Sequence, residues 1–99
     1  MTYIDPIVAS PEEYKLLLDG ENARIVEMRL PAGTIDTEHS HPHEFVYFIK
    51  GGKVRIHVGE EQMELEIPDG HTMQHEAWTH RVENIGDTEI FAILFELKE

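Results

Sequence analysis

The sequence predicts an all-β protein folded as a small antiparallel β-barrel or sandwich. Short segments alternate between apolar and polar residues, and turn signals rich in Gly, Pro and Asp separate about eight such segments. Size is a third observation, because a sheet made from 99 residues with 40% hydrophobic content has to hide its edges. A chain of this length builds one core, so we expect a single domain over residues 1–99, with residues 1–13 as an N-terminal lead-in.

Alternation identifies the strands that have one face in the core. Three segments alternate strictly, and their apolar faces consist of Val26, Met28 and Leu30, of Val54, Ile56 and Val58, and of Met63, Leu65 and Ile67. Residues 45–49 (FVYFI) are aromatic and β-branched, and residues 90–97 (IFAILFEL) form a strongly apolar last strand. These segments account for most of the predicted barrel.

Turn residues predict how the segments are connected. Gly51-Gly52 stands between two strand segments and predicts a hairpin, and Asp19-Gly20 predicts a second tight turn. Near the start of the chain, Ser10 followed by Glu13 has the spacing of a helix cap and predicts one helical turn beginning there.

Composition excludes several classes of partner. Twenty acidic residues against eight basic ones give a formal net charge of -12, which repels nucleic acid and anionic membrane surfaces. The absence of cysteine excludes disulfides and thiolate zinc sites. The first residues lack a basic start followed by an apolar run, and 18 consecutive apolar residues occur nowhere, so we expect a cytoplasmic protein without a membrane partner.

Seven histidines carry the most specific chemical signal. His39 and His41 are two residues apart, so on a strand both imidazoles lie on one face, close enough to share a metal ion. Glu44 follows within three residues, and His80 stands downstream, with three residues between it and Asn84. The pattern predicts a metal site rather than scattered surface histidines.

The same residues resemble the two motifs of the cupin family. Gly33, His39, His41, Glu44 and Gly51 match the first motif, with only Pro42 and His43 between His41 and Glu44, one residue fewer than the family pattern has. His80 and Asn84 match the second motif, although His75-Glu76-Ala77 stands where Pro-x-Gly is usual. The resemblance runs from about residue 14 to the end of the chain. It implies a jelly-roll barrel whose metal ligands are His39, His41, Glu44 and His80.

The sequence does not decide which residue supplies the fourth metal ligand. A regular strand through Pro42 would place His43, instead of Glu44, on the face of the two histidines, and Glu44 reaches it only through a bulge. His75 is five residues before His80 and is a further candidate, either as ligand or as acid/base. His75 and Glu44 are the candidate catalytic residues, and His43, Met73 and Trp78 are candidates for lining a pocket.

The ligand types limit the function. Neutral imidazoles with one carboxylate suit one divalent transition metal, Fe, Mn, Ni, Co or Zn, and three or four protein ligands leave positions open. We therefore expect a mononuclear metal-dependent enzyme, an oxygenase or isomerase that acts on a small organic acid or carbonyl compound. The alternative is a non-catalytic module that binds a small-molecule ligand or the metal itself, because one barrel hosts many functions.

Apolar strand residues also predict self-association. An early and a late strand together carry more apolar side chains than one barrel interior can use, namely Tyr14, Leu16, Leu17 and Leu18, and Phe91, Ile93, Leu94 and Phe95. We expect the surplus to form a two-fold interface in a homodimer.

Overall fold

The structure is a computed structural model, and it describes residues 3–98. Within that range it contains one short helix, α1, and nine strands, β1 to β9. In chain order their bounds are Pro6–Ala9 (α1), Tyr14–Asp19 (β1), Ala23–Leu30 (β2), His39–His41 (β3), Glu44–Lys50 (β4), Gly52–Val58 (β5), Glu61–Ile67 (β6), Thr72–His75 (β7), Trp78–Asn84 (β8) and Ile90–Leu97 (β9).

The strands form two antiparallel sheets with the core between them. One sheet has the order β1-β2-β9-β4-β7 and the other the order β3-β8-β5-β6. Val26 and Leu94 from the first sheet and Val54 and Val82 from the second belong to one cluster of buried side chains. The predicted all-β class is therefore confirmed. No helix in the described part of the chain is long and apolar enough to cross a membrane.

The prediction of a hairpin at Gly51-Gly52 is wrong. Strand β4 pairs with β7 and β9, whereas β5 pairs with β6 and β8, so the two glycines carry the chain from one sheet to the other. Space is the reason for glycine here, because a Cβ on Gly51 would lie 1.9 Å from the Ile67 carbonyl oxygen. The backbone N–H of Gly51 also donates to Asp69 Oδ1 over 2.8 Å.

The helix at the N-terminus begins earlier than predicted. Asp5 is the N-cap, its side chain accepting from the Ile7 amide, and Pro6 occupies the first helical position, where its missing N–H costs nothing. Ser10 ends the helix instead of starting one. The predicted pair of Ser10 and Glu13 does meet, since the Ser10 hydroxyl donates to Glu13 Oε1 over 2.5 Å.

Inward-facing positions follow the predicted alternation, except at Val58, which ends β5 and is 36% exposed, and in β6. Val26, Leu30 and Val54 are at most 1% exposed, as expected for the core. Met63 and Leu65, however, are 51% and 41% exposed. Strand β6 is at the edge of its sheet, and these two side chains line a cavity that opens to solvent.

Candidate metal centre

Three histidines meet inside the barrel because β3 and β8 are paired. His39 lies directly opposite His80, and His41 follows two residues later on the same face. Their ring centroids are 4.7 Å apart for His39 and His41, 4.8 Å for His39 and His80, and 5.2 Å for His41 and His80. Each is at most 4% exposed, and one nitrogen from each lies within 4.8 Å of the others. This is a geometry in which one ion can be shared.

Glu44 reaches the barrel interior by a route that the sequence did not indicate. Instead of one strand with a bulge, β3 ends at His41 and β4 begins at Glu44 in the other sheet, so the break at Pro42 and His43 turns the carboxylate inward. Glu44 is 2% exposed, with Oε1 3.6 Å from His41 Nδ1. Its oxygen lies within 4.8 Å of His41 and Glu96 ligand atoms, in a set that does not include His39 or His80.

The other two candidates for the fourth ligand lie outside these sets. His43 stacks on Phe45 with centroids 5.4 Å apart, and among the described residues it neither lines the cavity nor joins a metal-binding group. His75 stacks on Trp78 at 3.5 Å, and Trp78 in turn lies 4.1 Å from His80. The indole therefore separates His75 from the three histidines.

Trp78, His75 and Met73 do line the cavity beside the cluster. The indole Nε1–H of Trp78 donates to Glu44 Oε2 over 3.0 Å, which fixes one carboxylate oxygen and leaves Oε1 directed toward His41. His75 Nδ1 lies 2.7 Å from the Glu76 carbonyl oxygen. Since that carbonyl can only accept, Nδ1 carries the proton and Nε2 is the free acceptor.

Glu96 lies at this site although the sequence did not single it out. Its Oε2 accepts from His41 Nδ1 over 2.5 Å, and its Oε1 accepts from Arg24 Nε over 2.7 Å. Arg24 is held in turn by Asp5, 3.0 Å away. Burial alone would raise the pKa of Glu96, but the hydrogen bonds and charges of His41 and Arg24 hold it below its usual value. Because Glu96 holds the proton of His41 on Nδ1, Nε2 is the nitrogen of His41 that is left for a metal.

Strand parity was the signal for Glu96. It follows Ile90, Ala92 and Leu94 at every second position of β9, and all four side chains are at most 3% exposed. Burying a single carboxylate on the inward face of an otherwise apolar strand costs free energy unless the carboxylate is paired. This pattern could have indicated from the sequence that Glu96 has a function.

A second network, also missed, holds His39. His39 Nδ1 donates to the Thr37 carbonyl over 2.7 Å, which places the lone pair of the neutral ring on Nε2. The Tyr14 hydroxyl donates to Asp36 Oδ2 over 2.9 Å and lies 3.2 Å from His39 Nε2. Burial raises the pKa of Asp36 to about 6, although the hydrogen bonds from Val82 and Tyr14 act to lower it. Burial also raises the pKa of Tyr14 well above its usual value.

Two of the three histidines, His39 and His80, are in the protonation state that binds metal. Burial, with repulsion from His41, lowers the pKa of His39 to about 4. Burial, with repulsion from His41 and His39, lowers the pKa of His80 to about 2. Both rings are therefore neutral at neutral pH, and only neutral imidazole coordinates a metal.

Unpartnered atoms show that a divalent ion fits this site. Both nitrogens of His80 and Oε1 of Glu44 are buried and have no hydrogen-bond partner among the described residues. A buried polar atom left without a partner costs about 1 to 3 kcal/mol. Imidazole nitrogen and carboxylate oxygen are also donor types that transition metals accept. A cation held by the three histidines would take up the free lone pair of His80, and Glu44 Oε1 offers an anionic oxygen on the His41 side of the cluster.

Comparison with solved structures identifies the fold. A cupin domain from Bordetella pertussis has a TM-score of 0.78 and 23% identity, over 100% of this chain and 99% of that one. An RmlC-like cupin family protein with a double-stranded β-helix fold from Methanocaldococcus jannaschii has a TM-score of 0.67 and 16% identity, over 85% of this chain and 77% of that one. A DMSP lyase from Ruegeria pomeroyi has a TM-score of 0.62 and 20% identity, over 87% of this chain and 46% of that one.

The chain therefore has the cupin fold, and the resemblance found in the sequence is confirmed at the level of the fold. No protein-family model matches the sequence, and no curated protein matches it. What the site binds and does has to be argued from its own residues.

Proposed function

We propose that this chain is a metal-binding cupin in which His39, His41 and His80 hold one divalent transition ion, Fe, Mn, Ni, Co or Zn. The observation that carries the proposal is the buried histidine cluster, in which neither nitrogen of His80 has a hydrogen-bond partner in the described part of the chain. Glu44 is the candidate for a fourth ligand, because its unpartnered Oε1 is directed toward the same cluster.

The surrounding residues support this role by fixing the rings. Glu96 holds the Nδ1 proton of His41, and the Thr37 carbonyl holds that of His39, so each ring keeps its Nε2 lone pair. Partners of this kind commonly change metal affinity or activity about 10- to 100-fold. The bound ion would supply a Lewis acid with open coordination positions.

We further propose that the protein is a mononuclear metal-dependent enzyme, an oxygenase or isomerase acting on a small organic acid or carbonyl compound. Two groups at the cavity are placed to move a proton. Burial raises the pKa of Glu44, so this carboxyl holds a proton more readily than a surface one. His75 offers its free Nε2 from the cavity wall.

Metal analysis of the purified protein tests the metal proposal directly. We expect close to one divalent transition ion per chain, and thermal stabilisation when that ion is added back after chelation. His80→Ala should lose the ion, whereas His71→Ala, at an exposed turn position, should keep it. No bound ion and no stabilisation by any candidate metal would refute the proposal.

Activity is tested separately from metal content. Oxygen consumption and isomerisation of small carbonyl compounds and organic acids should depend on the bound ion and should fall in His80→Ala. If the loaded protein binds such compounds without converting any, it is a binding module and the enzymatic part of the proposal is wrong.

A further inference from the structure

We infer that the molecule bound at this centre has an apolar body and one polar, metal-binding end, and that it is not a di- or polycarboxylate. The inference rests on the proposed metal site for the polar end of the ligand. The apolar body is argued from the cavity alone and is tested without metal.

The cavity has two chemically different parts. Five of the lining residues are polar: His41, Glu44 and His80 of the site, Tyr14 beside His41, and His75 on the other side of the Trp78 ring. The other twelve of the seventeen lining residues are apolar, and they come from both sheets. A ligand that reaches the histidines must therefore bury the rest of its surface against hydrocarbon, thioether and indole groups.

No lysine or arginine is among the described residues that line this cavity. The guanidinium of Arg24 is bound to Glu96 and Asp5, and that of Arg55 is bound to Glu64 and Glu83 on the outside of the barrel. Glu44 is the acidic group that faces the ligand. A carboxylate at the far end of a ligand would lose its hydration without gaining a partner, which is strongly unfavourable.

The volume limits the size of the ligand. The cavity measures about 240 Å³. An apolar protein cavity of about 150 Å³ holds one benzene molecule, so this one has room for about ten non-hydrogen atoms. That corresponds to a substituted aromatic ring or to a chain of six to eight carbons, with the polar end included.

Flexible side chains surround this space. Met28, Met63 and Met73 all line the cavity, and Met63 and Leu65 stand half-exposed at its open side on β6. Methionine adapts its shape to different apolar partners. Among the small organic acids and carbonyl compounds proposed above, these observations favour those with a single polar group on an apolar body.

A series of alkyl hydroxamates with one chelating head tests the inference. We load the protein with cobalt(II) and measure dissociation constants by calorimetry for acetohydroxamate, butanohydroxamate and hexanohydroxamate. Affinity should rise about threefold to fourfold per added methylene, the value for transfer of a buried CH₂ out of water. Glutarate monohydroxamate, in which a carboxylate replaces the terminal ethyl group, should bind at least tenfold more weakly than hexanohydroxamate. Equal or tighter binding of the carboxylate compound would overturn the inference.

Loss of the preference is a second test. Leu65→Arg places a guanidinium at the open side of the cavity, and it should bring the affinities of hexanohydroxamate and glutarate monohydroxamate to within about threefold of each other. Glu66→Gln changes the net charge by the same amount on the outward face of β6 and should leave the preference unchanged. If both variants behave alike, the selectivity comes from net charge and not from the cavity.

Metal-free protein separates this inference from the proposed function. Toluene has no metal-binding group, and we expect it to bind the metal-free chain and to shift the NMR methyl signals of Met63 and Met73. Binding of toluene by a chain that takes up no metal would support the apolar site and refute the metal proposal. Metal uptake without toluene binding would overturn the inference and leave the metal proposal standing.

Discussion

Replacement of Glu96 by Gln tests how the protein prepares His41 for a metal. The carboxylate accepts hydrogen bonds from His41 Nδ1 and Arg24 Nε, at 2.5 Å and 2.7 Å. Glutamine has nearly the same shape but only one oxygen. If that oxygen keeps the hydrogen bond from Arg24, the amide NH₂ faces His41 Nδ1 and can only donate to it. This favours the His41 tautomer with its proton on Nε2, and that nitrogen then cannot coordinate a metal.

The size of the effect follows from this contact. Loss of a carboxylate that orients a metal-bound histidine commonly lowers metal affinity about 10- to 100-fold. A hydrogen bond to a charged group contributes about 1.5 to 3 kcal/mol to stability. Because Arg24 keeps its salt bridge with Asp5, we expect the free energy of unfolding to fall by about 2 kcal/mol, with the fold retained.

Competition against a chromogenic chelator at pH 7.5 measures the affinity, and urea unfolding of the metal-free protein measures the stability. Glu89→Gln is the matched control, because it removes the same charge from an exposed pair with Arg29. That control should keep its metal affinity and lose less than about 1 kcal/mol of stability. If Glu96→Gln binds metal as tightly as the unaltered chain, Glu96 does not orient His41.

Three further predictions concern the ligands, pH and assembly. His41→Ala should empty the site in the chelator assay, whereas Glu44→Ala should keep the ion with altered reactivity. Loss of the ion in His43→Ala instead would place the fourth ligand there. The unfolded chain binds protons near pH 6.5 at His39 and His80, but the folded chain binds them only near pH 4 and pH 2. Stability of the metal-free protein, measured by urea unfolding, should therefore fall by a few kcal/mol between pH 6.5 and pH 4, although Asp36, with its pKa raised to about 6, partly offsets the loss. A flat profile would contradict these pKa values. Light scattering at micromolar concentration should return a homodimer, since Leu16, Leu17, Leu18 and Phe95 are exposed, although Tyr14 is inside the barrel. A monomer would contradict this prediction.

Strand positions were predictable from the sequence because alternation is a local property. A residue such as Leu30 or Val54 needs only its neighbours at two-residue spacing to indicate its face. Strand pairing depends instead on contacts far apart in the chain. The Gly51-Gly52 turn is compatible with a hairpin and with a crossing between sheets, and the carbonyl of Ile67, which decides between them, lies sixteen residues after Gly51.

The site residues also fall into those that a local sequence pattern predicts and those that depend on strand pairing. His39 and His41 were recognisable because their spacing alone places both rings on one face, and His80 because it completes a second motif. Glu96 lies 55 residues from the histidine it contacts. It approaches His41 only because β9 pairs with β4, and local patterns do not predict that pairing.

Charge balance inside the barrel links the metal proposal to the apolar ligand. Asp36, Glu44 and Glu96 are each at most 2% exposed, and Arg24 is bound to Glu96. Asp36 accepts hydrogen bonds from the Tyr14 hydroxyl and the Val82 amide, but one buried oxygen of Glu44 has no partner within residues 3–98. A divalent cation beside Glu44 would balance the remaining negative charge, and the net charge of -12 on the chain attracts cations. The same field repels anions, so a neutral carbonyl compound can reach the centre more easily than a dicarboxylate can.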